Sequence, residues 1–155
     1  MERKIEFRGK RIEDGKWIYG YYWYVEEHYA NPIENKTHFI KSKNNGIDYK
    51  IDIETLGQYT GLKDKHENKI YEGDIILSQE FRNKPFSKNY KSKRLIGVVE
   101  YYERKHNAGK QVYESGYKVR FIKDDEKSFY NCGSWSDFYD CEILGNIYDN
   151  KDLLN

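Results

Sequence analysis

The chain has few of the residues from which helical cores and membrane spans are built. Its 155 residues include one Met, two Pro and two Ala, and its apolar runs are only a few residues long. A helix that crosses a bilayer needs about 20 apolar residues, and a signal peptide needs an apolar stretch behind its basic residues. We therefore expect a protein that stays in the cytoplasm of the cell that makes it.

Cysteines and catalytic motifs are equally sparse. Cys132 and Cys141 are the only cysteines, and a reducing cytoplasm disfavours a disulfide between them. Their spacing does not match a zinc knuckle, the four His are far apart, and no Ser lies in a nucleophile-elbow motif. We expect buried, reduced thiols, no metal, no cofactor and no enzymatic activity. One enzymatic alternative stays open, because Glu72 and Asp74 could form an acid–base pair, although either carboxylate could instead cap the turn at Gly73.

Aromatic side chains supply much of the apolar material that is present. The chain is 37% hydrophobic and 17% aromatic, with 16 Tyr, 7 Phe and 3 Trp. A Tyr ring has a large apolar area, but its hydroxyl needs a partner or water. Half-buried sheet surfaces meet that requirement, so the composition favours a mainly β fold over a helical bundle or a disordered chain.

The order of residues predicts many short strands. Apolar residues alternate with polar ones, or β-branched and aromatic residues follow one another, in segments bounded by Gly, Asn and Asp. The predicted strands are 4–8, 16–25, 38–41, 49–53, 70–77, 95–103, 116–122 and 142–148. We expect a turn at 44–46, single helical turns near 54–56 and 135–138, and a polar loop at 104–115 that joins two paired strands.

Charge is nearly balanced overall, at +1, but it is unevenly distributed. The stretch from Arg82 to Arg94 has six basic residues and no acidic one, whereas 124–155 has eight acids and two bases. The basic stretch is polar and almost free of aliphatic residues. We expect it to form a long, mobile loop between two strands, at about 80–95.

Five short sequence blocks together carry a family resemblance. The block GQYTGLKD at 57–64 is followed by IYEGDI at 70–75, and IEFRGK at 5–10, GKWIYG at 15–20 and LGNIYDN at 144–150 agree with the same pattern. In these blocks the chain resembles the YopX family of phage and prophage proteins. The motif residues are Gly57, Gln58, Tyr59, Thr60, Gly61, Glu72, Gly73, Asp74, Gly145 and Asn146.

The resemblance implies a phage origin and a fold, but no activity. It implies one YopX-like domain over 1–155, with N-terminal strands at about 1–56, an SH3-like barrel at about 57–148 and a C-terminal turn at 149–155. The chain departs from the family where an Asn-Gly turn is usual. Here the turn is Lys65–Lys69, and Asn68 is the candidate for its positive-φ position.

Two segments are candidate binding surfaces. In the basic loop, cations that could neutralise phosphates alternate with rings that could stack on bases. Its residues are Arg82, Lys84, Phe86, Lys88, Tyr90, Lys91, Lys93 and Arg94. This loop is a solvated segment, a site for an acidic protein or a site for nucleic acid. The second candidate is the aromatic strand with Trp17, Tyr19, Tyr21 and Trp23, which forms either core or an interface.

These observations predict a small β-barrel binding module of a bacterial host cell's cytoplasm that acts through protein–protein contacts. Its partner would be a second copy or a host or phage protein. Nucleic-acid binding through loop 82–94 is the alternative, and an enzyme with carboxylates near Asp74 is the third reading. We identify no small-molecule substrate.

Overall fold

The computed structural model describes residues 5–26, 36–79, 94–108, 110–122 and 140–155. The fold is mainly β, as predicted. The described residues form nine strands, and a 3-10 helix (Lys151–Leu154) lies within the predicted C-terminal turn. The strands are β1 (Phe7–Arg11), β2 (Trp17–Glu26), β3 (Lys36–Ser42), β4 (Asp48–Lys63), β5 (Lys69–Tyr71), β6 (Asp74–Gln79), β7 (Arg94–Ala108), β8 (Lys110–Phe121) and β9 (Glu142–Asn146).

The chain divides into two compact units, 1–61 and 62–155. In the first unit, β1 pairs antiparallel with β2 and with β4, β2 pairs with β3, and β3 pairs with β4. The turn between β3 and β4 is the predicted one at 44–46. Gly46 there has a φ of 71°, in the left-handed region that glycine adopts without strain.

The core of the first unit lies on one face of these strands. Ile40 of β3 and Ile51 of β4 are buried. Gly9 and Gly20 allow close contacts between neighbouring strands. A Cβ at Gly9 would lie 3.0 Å from Ile51 Cδ1, and a Cβ at Gly20 would overlap the carbonyl oxygen of Lys41. Because side chains alternate along a strand, the residues between the core positions point to the opposite face.

The helical turn predicted near 54–56 is wrong, because those residues belong to β4. The pairing of β1 with β4 shifts there, from Lys10 opposite Asp52 to Arg8 opposite Gly57. Thr55 occupies the irregularity: its Oγ1 accepts a hydrogen bond from the Lys10 N–H at 2.8 Å and donates one to the Asp52 carbonyl at 2.7 Å. These bonds satisfy the polar groups of the extra residues, so the strand continues without a helical turn.

The second unit contains a four-stranded antiparallel sheet with the order β8-β7-β6-β9. Its buried core includes a cluster of Ile70, Ile76, Val99, Val119 and Cys141. The burial of Cys141 agrees with the sequence prediction, whereas Cys132 lies outside the described residues. The strand predicted over 70–77 is interrupted at Glu72 and Gly73, where Gly73 has a φ of 83°.

The polar loop predicted at 104–115 is wrong over most of its length. β7 continues to Ala108 and β8 begins at Lys110, so that the pairing runs from Gly97 opposite Phe121 to Ala108 opposite Lys110. Polar residues are compatible with a two-stranded ribbon, because both of its faces can contact water. The helical turn predicted at 135–138 and the first part of the acidic stretch, at 124–139, lie outside the described residues.

The turn after β4 is organised by Asp64. Its Oδ1 accepts hydrogen bonds from the N–H groups of His66 and Asn68, each at 2.9 Å, and its Oδ2 accepts one from Asn68 Nδ2 at 3.1 Å. The positive φ of this turn, 66°, is at Glu67 and not at Asn68 as predicted. Asn68 instead acts as a donor to Asp64, which requires its side chain and not an unusual backbone conformation.

Candidate binding surface

The aromatic strand β2 presents its odd-numbered residues on the face away from the core. Trp17 is half-buried, and Tyr19, Tyr21 and Trp23 are exposed by 44%, 56% and 39%. Ile40 packs behind Gly20 on the other face. Of the two interpretations that the sequence left open, a covered core strand therefore does not describe these side chains.

Cations from both neighbouring strands flank the rings. Arg8 and Lys10 of β1 lie opposite Tyr19 and Trp17, and Lys41 of β3 lies opposite Tyr21. We call the aromatic face the set formed by Arg8, Lys10, Trp17, Tyr19, Tyr21, Trp23, Phe39, Lys41 and Lys43. Paired residues of antiparallel strands share a face, so the register places these side chains side by side.

Three of the cations lie over ring faces. The Arg8 guanidinium carbon is 4.8 Å and the Lys10 Nζ 5.5 Å from the centroid of the Trp17 ring. The Lys43 Nζ is 5.2 Å from the centroid of the Tyr21 ring. These distances lie within the range of about 6 Å for cation–π attraction. The rings therefore hold the long cationic side chains close to the sheet surface.

Two carboxylates orient parts of the aromatic face. Buried Glu6 forms an ion pair with Lys43. At the other end, Trp23 Nε1 donates a hydrogen bond to Asp48 Oδ1 at 2.8 Å, and the Trp23 ring is stacked on Phe39 with a centroid distance of 4.6 Å. A polar contact and a ring contact therefore both orient the Trp23 side chain.

The even-numbered aromatic residues of β2, Tyr22 and Tyr24, form a separate cluster on the opposite face of the sheet. The Tyr22 hydroxyl and His38 Nδ1 are 2.7 Å apart, and the Tyr22 ring also contacts Phe7 and Tyr24. Burial, and then the proximity of Tyr24, raises the pKa of Tyr22, although Lys36 acts in the opposite direction. Tyr22 thus remains a neutral phenol at physiological pH, and this cluster provides comparison residues on the same strand.

The second predicted surface, the basic loop, is not described. Seven of its residues (Arg82, Lys84, Phe86, Lys88, Tyr90, Lys91 and Lys93) lie outside the described part of the chain. Arg94 begins β7, where it pairs with Gln79, and its side chain is not described. Binding by this loop therefore stays a prediction from the sequence.

The first motif block lies in β4 and is structural. Gly57 pairs with Arg8 and Gln58 with Phe7, so both residues lie within the paired part of the strand. Tyr59 is buried, and its N–H donates to the Glu6 carbonyl at 2.7 Å. Gly61 has a φ of 88°, in the left-handed region that favours glycine, and Thr60 lies between Tyr59 and Gly61 within the strand.

The second block forms the turn before β6. Asp74 is buried, and its Oδ2 accepts a hydrogen bond from the Tyr71 N–H at 2.7 Å across Glu72 and Gly73. This contact is the capping role that the sequence offered as the alternative to acid–base chemistry. Among the described residues, no group of three or more His, Cys, Asp or Glu could hold a metal ion.

The remaining motif residues, Gly145 and Asn146, lie near the C-terminus. Gly145 pairs with Ile75. Asn146 Oδ1 accepts hydrogen bonds from the N–H groups of Tyr148 and Asp149, each at 3.0 Å, and the Asn146 N–H donates to Asn150 Oδ1 at 3.1 Å. The side chains of this block thus build turns and present no converging reactive groups.

Sequence reasoning missed the cations of the aromatic face. Arg8 and Lys10 are two residues apart, as are Lys41 and Lys43, which is the spacing that places side chains on one face of a strand. That signal becomes informative only when the pairing of β1 and β3 with β2 is known. Pairing depends on non-local register, so local patterns did not show that these cations surround the aromatic strand.

In the described part of the chain, no helix is long and apolar enough to cross a membrane.

Comparisons with known proteins place the chain in a family. No curated protein matches the sequence. A crystal structure of protein EF1440 from Enterococcus faecalis is similar, with 18% identity, coverage of 99% of this chain and 100% of that chain, and a TM-score of 0.46. The family model for YopX protein matches residues 6–155, and the chain therefore belongs to the YopX family.

Proposed function

We propose that the protein is a non-enzymatic binding module that acts through protein–protein contacts at the aromatic face. The observation that carries this proposal is the exposure of Tyr19, Tyr21 and Trp23, by 44%, 56% and 39%, on one face of β2. Tyr and Trp are enriched among interface residues that contribute most to affinity. Isolated exposed apolar residues are ordinary, but a contiguous set indicates an interaction site.

The size of the patch is consistent with the centre of an interface. Burying about 250 Å² of ring surface would contribute roughly 6 kcal/mol before association costs, at about 25 cal/mol per Å². A specific interface buries about 800 Å² on each partner. The rings therefore supply roughly a third of one side, and the surrounding cations and polar residues would form its rim.

Self-association is the first form of contact to measure. We expect Tyr21→Ser to shift the equilibrium of wild-type oligomers toward the monomer in analytical ultracentrifugation, if a second copy is the partner. Tyr24→Ser is the matched control, because Tyr24 is exposed by 47% on the same strand but belongs to the opposite cluster. If the wild-type protein is monomeric in ultracentrifugation, the partner must be another protein. A monomeric wild-type protein that also binds no defined protein ligand would contradict the proposal.

The proposal also includes three properties that the family resemblance implies. These are an SH3-like barrel at about 57–148, a phage origin and a location in the cytoplasm of the bacterial host. The antiparallel pairing of β6 with both β7 and β9 supports the first point, because small barrels contain such successive pairs. A crystal structure of the protein would test the closure of the barrel.

A second candidate function is nucleic-acid binding through loop 82–94. The observation that favours it is the run of six basic residues without an acid, since such a run can neutralise phosphates. We expect a variant with Lys88, Lys91, Lys93 and Arg94 changed to Glu to lose any gel shift of single-stranded or duplex oligonucleotides at low salt. Equal binding by this variant and the wild type would exclude the loop as the site.

A further inference from the structure

Two tight turns of the first unit have matching geometry. One joins β1 to β2 and the other joins β3 to β4, and each ends in a glycine with a positive φ, 68° at Gly15 and 71° at Gly46. In both turns the glycine N–H donates a hydrogen bond of 2.9 Å to the carbonyl four residues earlier. The preceding side chains, Asp14 and Asn45, each accept a hydrogen bond of 3.1 Å at Oδ1 from the N–H two residues later. These two side chains differ in their second terminal atom, a carboxylate oxygen or an amide nitrogen.

Asparagine is chemically labile in proteins, and one that precedes glycine can react with its own backbone. The glycine nitrogen bonds to the side-chain amide carbon, and the amide nitrogen leaves as ammonia with the proton of the glycine N–H. Water then opens the cyclic imide at either carbonyl, which gives aspartate or isoaspartate. Glycine favours this reaction because it has no side chain in the way. Asn45 and Gly46 are the one Asn-Gly pair of the sequence, and both are exposed.

Hydrogen bonds occupy all three groups that this reaction uses. The attacking nitrogen belongs to the Gly46 N–H, which donates to the Ser42 carbonyl at 2.9 Å. The amide oxygen accepts from the Ile47 N–H at 3.1 Å, and the leaving nitrogen, Asn45 Nδ2, donates to the Tyr49 hydroxyl at 2.9 Å. Ring closure removes the Gly46 proton and separates Nδ2 from Tyr49, so it breaks two of these contacts. The folded turn therefore opposes the reaction.

The turn at Asp14 is an internal comparison. An aspartate forms the same imide by losing water, so its carboxylate must first gain a proton. The Arg11 Nη2 donates to Asp14 Oδ2 at 2.9 Å. Desolvation raises the pKa of Asp14, but the Lys16 N–H and the charges of Arg11 and Lys16 outweigh it and hold the pKa below 3.8. Asp14 is therefore ionised at neutral pH, and its turn is a poor site for this reaction.

We propose that Asn45 is a latent modification site that the folded first unit protects. When the turn between β3 and β4 opens, Asn45 loses ammonia, and water converts the imide to aspartate or isoaspartate without an enzyme or a cofactor. Isoaspartate lengthens the backbone by a methylene inside the turn, which the Ser42 N–H closes by donating to the Ile47 carbonyl at 2.9 Å. The product no longer fits the register of β3 with β4, so an opening of this hairpin leaves a permanent chemical change. This inference is independent of the proposed function.

Incubation of the full chain, folded and unfolded, tests the protection. We expect isoaspartate at position 45 to form about tenfold more slowly, or less, in the folded protein than in the same protein unfolded in urea at pH 8, because local opening must precede the reaction. Peptide mapping by mass spectrometry measures both products. A synthetic peptide of residues 41–49, with and without urea, corrects for effects of urea on the chemistry. Position 14 should react far more slowly than position 45 in the unfolded chain, since its carboxylate is ionised at this pH.

Tyr49→Phe tests the contact that holds the leaving group. The change removes the hydroxyl that accepts from Asn45 Nδ2 and keeps the ring, whose centroid is 4.6 Å from the Arg11 guanidinium carbon. We expect the folded variant to deamidate about threefold faster than wild type, as the loss of one such hydrogen bond implies, with little change in the midpoint of thermal unfolding. Tyr24→Phe is the matched control, because Tyr24 is an exposed tyrosine of β2. It should leave the rate unchanged.

The rates decide the proposal. Equal rates in the folded and the unfolded protein would overturn it, because the turn would then give no protection. A faster reaction in the folded protein would also overturn it, since the turn would then promote the chemistry. If protection is retained and Tyr49→Phe reacts at the wild-type rate, the part assigned to Tyr49 is wrong, and the backbone contacts of Gly46 and Ile47 account for the protection.

Discussion

Replacement of Asp64 is the most direct test of how the second unit holds its structure. The buried carboxylate accepts three hydrogen bonds of 2.9 to 3.1 Å from His66 and Asn68, and the Ile143 N–H lies 3.4 Å from its Oδ2. It therefore connects the turn after β4 to β9. Asp64→Ala removes every acceptor, whereas Asp64→Asn keeps one oxygen and turns an amide toward the remaining donors.

The expected losses follow from the number of donors that lose their acceptor. A hydrogen bond to a charged group contributes about 1.5–3 kcal/mol, and a buried donor left without a partner costs about 1–3 kcal/mol. Asp64→Ala affects three close donors, and water can reach part of the opened turn. We expect a loss of about 3–5 kcal/mol in the free energy of unfolding for Asp64→Ala and about 1–3 kcal/mol for Asp64→Asn.

The same carboxylate should contribute to acid sensitivity. Burial raises the pKa of Asp64, but the hydrogen bonds from Asn68, Ile143 and His66 outweigh burial and hold the pKa below its ordinary value of 3.8. The ionised form is therefore favoured by folding, and its contribution is present above pH 3.8. That contribution is lost as the pH falls through the lowered pKa of the folded state.

Urea denaturation followed by tryptophan fluorescence, between pH 7 and pH 2.5, measures both effects. We expect the wild type to lose more stability on acidification than Asp64→Asn. Asp152→Asn is the control, because Asp152 is exposed in the 3-10 helix, and it should change stability by less than about 0.5 kcal/mol. The reasoning would be refuted if Asp64→Asn matched the wild type at pH 7 and followed the same acid profile.

Three further predictions concern single positions. Gly20→Ala places a Cβ against the backbone of Lys41, 2.8 Å from its carbonyl carbon, so we expect the midpoint of thermal unfolding to fall sharply, as circular dichroism would show. Gly73→Ala forces a side chain into a φ of 83°, and we expect a loss of about 1–2 kcal/mol in urea denaturation. Burial, and then Asp64, raises the pKa of Cys141 to about 11; in a Cys132→Ser background the folded protein should react slowly with iodoacetamide at pH 8, and unfolding should remove the protection.

Local sequence signals correctly predicted several turns of the fold. Gly46 and Gly73 have the positive φ that their turns require, and Asp74 caps the turn before β6. These features depend on one or two residues and their neighbours, so they can be derived from sequence. The mainly β class follows similarly from the aromatic composition.

Features that depend on distant partners could not be derived. The segment at 54–56 has a Thr and two acids nearby that favour a helical turn, but Thr55 is held in β4 by the Lys10 N–H, 45 residues earlier. The cations of the aromatic face likewise become neighbours of the rings only through strand register. Local propensity is a weak prior where such non-local contacts exist.

The long pairing of β7 with β8 allows the hydrogen bonds at its far end to open locally, without unfolding of the second unit. Within the described residues, β6 pairs with β7 from Arg94 to Val98, and the β7–β8 pairing then continues alone to Ala108. A two-stranded ribbon is only marginally stable by itself, so its distal pairs can separate and re-form while the buried core at Val99 and Val119 stays closed. Amide exchange should therefore grow faster step by step toward Ala108, and the chain can be shortened or extended at this tip without disturbing the sheet.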